Sequence, residues 1–151
     1  MKVFVASDHR GVNLKLDIIN YLKGNNIDAE EIGLLNSEFD DYPDFAFKLG
    51  RLVNENNGSL GILICGNGIG MSIAANKVKG IRCARVVDPD DAFKAKNHNG
   101  TNVIAVGENL GLDNIKEIVD TFILTKSASE ERHLKRINKI INYENGEYNE
   151  L

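Results

Sequence analysis

The stretch GILICGNGIGMSIAANK (61–77) carries the densest chemical pattern in the chain. Cys65 closes a short apolar run, and Gly66, Gly68 and Gly70 follow at alternate positions. Glycines between a strand and a helix expose successive backbone N–H groups, and anions gather on such loops. A thiol at that edge is a nucleophile or a general base. The plainer alternative is that Cys65 is the last buried residue of a strand and that the glycines only make a tight turn. Known glycine loops do not fit. A dinucleotide fingerprint opening at Gly66 needs glycine where Met71 stands, and a Walker loop from Gly61 to Gly66 needs lysine where Asn67 stands. A Cys-x5-Arg phosphatase cradle also meets Met71. His9 and His98 lie in polar segments, where an imidazole transfers protons near neutral pH or merely faces solvent. Arg132 and Arg136 share one helical face beside His133, either as a clamp for phosphate or as a solvated basic face. Cys83 lies within an apolar run and reads as packing.

Alternating elements must position these groups. Apolar, β-branched runs predict strands at 2–7, 27–32, 60–64, 81–87 and 102–106. Amphipathic runs predict helices at 12–23, 43–56, 70–77, 90–96, 111–124 and 129–142, with a loop from Leu34 to Tyr42. Repeated strand–helix alternation specifies an α/β fold: one Rossmann-like domain over 1–142, with a five-stranded parallel sheet and helices on both faces. The remainder, 143–151, reads as an acidic, frayed tail. In such sheets ligands bind at the carboxyl ends of strands near a topological switch point. That rule selects Asp8–His9, Cys65–Asn67 and Asp88.

With 151 residues the chain suits a single domain, and 42% hydrophobic with 26% charged residues is ordinary for a folded globular protein. A net charge of −4 provides no basic excess for a phosphate backbone, which argues against nucleic acid as a partner. No apolar run is long enough for a bilayer, and Asp8, His9 and Arg10 interrupt the first one, as no signal peptide would. A cytoplasmic protein that does not engage membranes is expected. Two cysteines without a CxxC pair favour neither a disulfide framework nor a zinc site.

Taken together, SDHRG (7–11), DYPD (41–44), GILICGNGIGMSIAANKVKGIR (61–82), HN (98–99) with NVIAVG (102–107), and RH at 132–133 followed by Arg136 resemble the type B ribose-5-phosphate isomerases and their allose- and galactose-6-phosphate isomerase relatives. The resemblance spans about residues 1–142. It implies an aldose–ketose isomerase that works through a cis-enediolate without metal or cofactor. It makes Cys65 the base between C2 and C1 and places Gly66, Gly68, Ile69 and Gly70 around the developing oxyanion. It puts His98 at the ring oxygen and Asp8 at the sugar hydroxyls. His9, Arg132 and Arg136 match phosphate contacts, and Tyr42 and Asn99 match the pocket lining. It further implies a homodimer or homotetramer, with His98 and the two arginines facing the partner's Cys65.

Three positions depart from the family pattern. Asn67 replaces a threonine or serine; its amide is expected to donate to an oxyanion but not to copy a hydroxyl's donor-and-acceptor role in ring opening. Asn109 stands where an arginine is common, and Arg10 replaces a small residue and is expected to reach the phosphate instead. These changes surround phosphate and ring, so they bear on substrate rather than on reaction. Ribose 5-phosphate is the expected substrate. The alternatives are a 6-phosphohexose, a phosphosugar-binding subunit of a hetero-oligomer, or a thiol-dependent acyl transferase or hydrolase.

Overall fold

The computed structural model describes residues 1–33 and 41–149. The loop expected at 34–42 therefore lies largely outside the described residues. In chain order the strands are β1 (Lys2–Ser7), β2 (Asp28–Ile32), β3 (Leu60–Cys65), β4 (Cys83–Arg85) and β5 (Val103–Gly107). The helices are α1 (Val12–Gly24), α2 (Tyr42–Glu55), α3 (Ile69–Ala75), α4 (Pro89–Asn99), α5 (Leu112–Leu124) and α6 (Glu131–Glu144), with a 3-10 turn at Glu108–Leu110. All strand pairs are parallel, in the order β2-β1-β3-β5-β4.

Strand alternation divides the core into two layers. Val3, Val5, Ile62, Ile64, Ile104 and Val106 face α1, α4 and α5, where Ile18, Leu22, Ala92, Ile118 and Phe122 complete one cluster. Phe4, Ala6, Leu63, Cys65, Val103 and Ala105 face α2 and α3, meeting Phe45, Leu49, Met71 and Ala75. Every residue of β3 is buried, which is why LGILIC reads as continuously apolar. Gly61 within it makes room for α2, because a Cβ there would collide with Leu49 Cδ2.

The elements differ from the sequence expectation at several boundaries. The strand expected at 81–87 shrinks to three residues. As an edge strand β4 pairs with β5 alone, and side chains take over its neighbouring donors: Arg82 N–H donates to Asn102 Oδ1 at 2.9 Å and Cys83 N–H to Asn76 Oδ1 at 2.8 Å. Helix α4 is longer than the expected 90–96. Asp88 caps its start by accepting from Asp91 N–H at 2.8 Å, and it continues until Gly100 turns left-handed at φ 57°. His98 and Asn99 therefore sit in a helical last turn rather than a loop. Helix α6 continues to Glu144, whose carboxylate accepts from Gly80 N–H at 2.9 Å, so the first two residues of the expected tail are helical.

Candidate active site

The chain leaves β1 for β2 on one side and returns to β3 on the other, which makes the carboxyl ends of β1 and β3 the switch point. A cleft of about 440 Å³ opens there, lined by Asp8, Arg10, Tyr42, Cys65, Gly66, Asn67, Ile69 and Gly70. Eight of the sequence-predicted residues thus converge from three segments.

Cys65 is 6% exposed at the end of β3. Its Sγ accepts a hydrogen bond from Gly68 N–H at 3.1 Å. Gly68 adopts φ 78°, in the left-handed region, and a Cβ there would lie 3.1 Å from the Ala105 carbonyl oxygen on β5. Replacing Gly68 with alanine combines a left-handed penalty of about 1–2 kcal/mol with that close approach, so the melting temperature falls by about 2–8 °C. A thermal melt that matches the parent's would show that the loop relaxes freely. Gly70 serves a different purpose, since Tyr42 lies against it with its ring 2.8 Å from where a Cβ would stand. Asn67 Oδ1 accepts from Ile69 N–H at 3.0 Å, and its backbone carbonyl accepts from Arg85 Nε at 2.8 Å. The amide oxygen is thereby spent on the loop and the NH₂ remains as a donor.

On the β1 side, Asp8 is 8% exposed, and its Oδ1 accepts from Arg10 N–H at 3.0 Å and Gly11 N–H at 3.3 Å. This Asx turn shapes the β1–α1 loop. Arg10 is the only cation among the described residues that line the cleft. Its guanidinium passes over Gly66, where a Cβ would meet Nη1 at 3.0 Å, and its Nη2 pairs with Glu108 Oε1 at 2.8 Å. Sequence reasoning does not find Glu108 as a site residue. The only signal for it is its place directly after β5.

Five predicted residues lie elsewhere in the same chain. His9 is exposed and does not line the cleft. His98 and Asn99 end α4 just before β5 begins, at the amino edge of the sheet. Val103 is in register with Gly61, whereas Cys65 is in register with Gly107. Four residues of strand, about 13 Å of rise, separate these two levels. Arg132 and Arg136 are exposed on α6, which packs against α4. His98 stacks on His133, centroids 4.5 Å apart and planes 10° apart. Cys83 behaves as packing, and burial pushes its thiol up to about 12. No helix among the described residues is long and apolar enough to cross a membrane.

The chain belongs to the ribose/galactose isomerase family, whose model matches residues 3–140, and so to a class of aldose–ketose isomerases. Among solved structures, the type B ribose 5-phosphate isomerase of Trypanosoma cruzi is 38% identical and superposes with a TM-score of 0.89, covering 97% of this chain and 99% of that one. Ribose-5-phosphate isomerase B of Clostridium thermocellum is 40% identical with a TM-score of 0.88 over the same shares. That of Mycoplasma genitalium, determined with bound ribulose 5-phosphate, is 40% identical with a TM-score of 0.88, covering 95% and 96%.

Proposed function

We propose that this protein interconverts D-ribose 5-phosphate and D-ribulose 5-phosphate, with Cys65 as the base. The thiolate takes the proton from C2 of the open-chain aldose, and the electron pair moves onto the C1 carbonyl oxygen to form a cis-enediolate. The proton then returns to C1 while the O2 hydroxyl proton passes to O1, so that the C2 hydroxyl becomes the ketone and the C1 oxygen a hydroxyl. The observation that carries this reading is the position of Cys65 Sγ in the cleft, held by the Gly68 N–H at 3.1 Å beside the exposed amide of Asn67. Backbone donors of the loop and the Asn67 NH₂ meet the oxygen that gains charge, the arrangement that lowers such barriers most. Asp8 offers its second carboxylate oxygen to the sugar hydroxyls.

Among the described residues, the single-chain cleft holds one cation for a phosphate dianion and no imidazole for opening the sugar ring. A second copy of the chain supplies these groups: His98 at the ring oxygen, Asn99 in the lining, and Arg132 and Arg136 on the phosphate, with the exposed His9 beside Asp8 as a further phosphate contact. The active form is thus a homodimer or homotetramer, and a reduced thiol at the centre of the reaction suits the cytoplasm.

The direct test is ketose formation from ribose 5-phosphate in the presence of EDTA, run beside allose and galactose 6-phosphates. The expected result is turnover with the highest kcat/KM on the pentose. Turnover of a hexose phosphate alone would replace the substrate, and turnover of none would leave a binding subunit. Arg10 supplies a second test. Arg10→Ala removes the cation that lines the single-chain cleft, and losing a charged hydrogen bond to phosphate raises KM by about tenfold with kcat retained. An unchanged KM would take Arg10 off the phosphate.

A further inference from the structure

We propose that His133 is a positioning residue that orients the His98 imidazole for ring opening in the neighbouring copy's cleft. The inference rests on the reading above that His98 opens the ring. The two imidazoles lie face to face, with centroids 4.5 Å apart and planes inclined by only 10°. The His98 ring also meets Phe93 on the same helix, edge to face, at 6.1 Å and 77°. Two sides of the ring are therefore occupied, which restricts rotation about its side-chain bonds and leaves the nitrogens for other partners. An aromatic pair in this geometry gains orientation as well as area.

His133 is built for support rather than for chemistry. It is 6% exposed, and its backbone N–H donates to the Glu130 carbonyl at 2.9 Å. Its Nε2 has no hydrogen-bond partner among the described residues. Glu130 Oε2 stands 3.9 Å away and is itself taken by Arg132 Nε at 2.7 Å. Burial, and then the charges of Arg132, His98 and Arg136, hold His133 below the ordinary histidine range against the opposite pull of Glu130. That direction favours the uncharged form of the supporting ring, which stacks on His98 without adding a positive charge beside it.

Positioning and mere stability separate in a set of three variants assayed on ribose 5-phosphate. His98→Ala sets the scale of the loss. His133→Ala is expected to lower kcat by about tenfold with KM within about twofold, since misorientation costs rate rather than affinity. His133→Phe keeps a flat ring against His98 and is expected to recover most of kcat. Ring-proton NMR gives a reading independent of activity. The chain has three histidines, so the His98 signal is assigned by its loss in His98→Ala. That signal shifts in His133→Ala as the ring current disappears, while the rest of the spectrum stays folded. Full kcat in His133→Ala beside a crippled His98→Ala would overturn the positioning role alone. Full kcat in His98→Ala would instead overturn the ring-opening reading beneath it.

Discussion

Cys65→Ala loses turnover of ribose 5-phosphate by a factor on the order of 10²–10⁴, the range that a positioned general base contributes. The loss comes from chemistry rather than from the fold. Removing one buried sulfur from the cluster that includes Leu63, Met71 and Ala105 leaves a small void, costing about 1 kcal/mol by analogy with single-group core deletions. Circular dichroism and a thermal melt should therefore resemble the parent's while the assay is silent. Cys65→Ser should also be silent, because a hydroxyl gives up its proton far less readily than a thiol. Alkylation gives a parallel readout. Cys65 opens onto the cleft, whereas Cys83 is half-buried on β4 and desolvation pushes its thiol up to about 12, so a neutral-pH reagent should react first with one thiol per chain and abolish activity with it. Undiminished turnover in Cys65→Ala would pass the role of base to Asp8, the cleft's carboxylate.

Two inactive variants should restore activity when mixed. Cys65→Ala and His98→Ala each disable every site in their own assemblies. If each site pairs Cys65 of one copy with His98 of another, a hybrid dimer has one site carrying both lesions and one carrying neither. Random exchange makes about half the dimers hybrid, each with one of two sites intact, so the mixture reaches about a quarter of parental activity. The experiment requires exchange of subunits, by brief denaturant treatment or by co-expression. Recovery at zero after demonstrated exchange would mean that the two residues do not serve a shared site. The sheet favours recovery, because Cys65 and His98 stand at opposite edges of it within one chain.

That same separation explains which features are legible in the sequence. Residues near one strand end declare themselves: the apolar run of β3, the glycines after it and the Asp8 turn are local patterns, and they converge where the switch-point rule places them. Arg10 is legible as a cation near the cleft, but its partner Glu108 is not, because the pairing depends on β5 lying beside β3 as well as β4. Apolar content at 81–87 overstates the edge strand, since it says nothing about Asn76 and Asn102 capturing the backbone donors there. The polar segment around His98 suggests a loop, yet nothing before Gly100 stops a helix, and the helix indeed continues to Asn99. The stack of His98 on His133 joins two helices distant in sequence, a contact that no spacing rule encodes.

The insertion of β5 between β3 and β4 has a consequence for a chain emerging from the ribosome. Once Cys65 has emerged, β3 can pair with β1, but its other edge is bare until Val103–Gly107 emerge in turn. At about 5–20 residues per second the interval from residue 65 to residue 103 lasts about 2–8 s. Throughout it, Gly68 lacks the Ala105 backbone it rests on, and Gly107 has yet to approach the Asn67 backbone. The nascent protein thus carries its thiol long before it carries a site. Completion of the central sheet late in synthesis turns an ordinary cysteine into a placed one, so truncated products released before β5 hold Cys65 and its glycines without the strand that seats them.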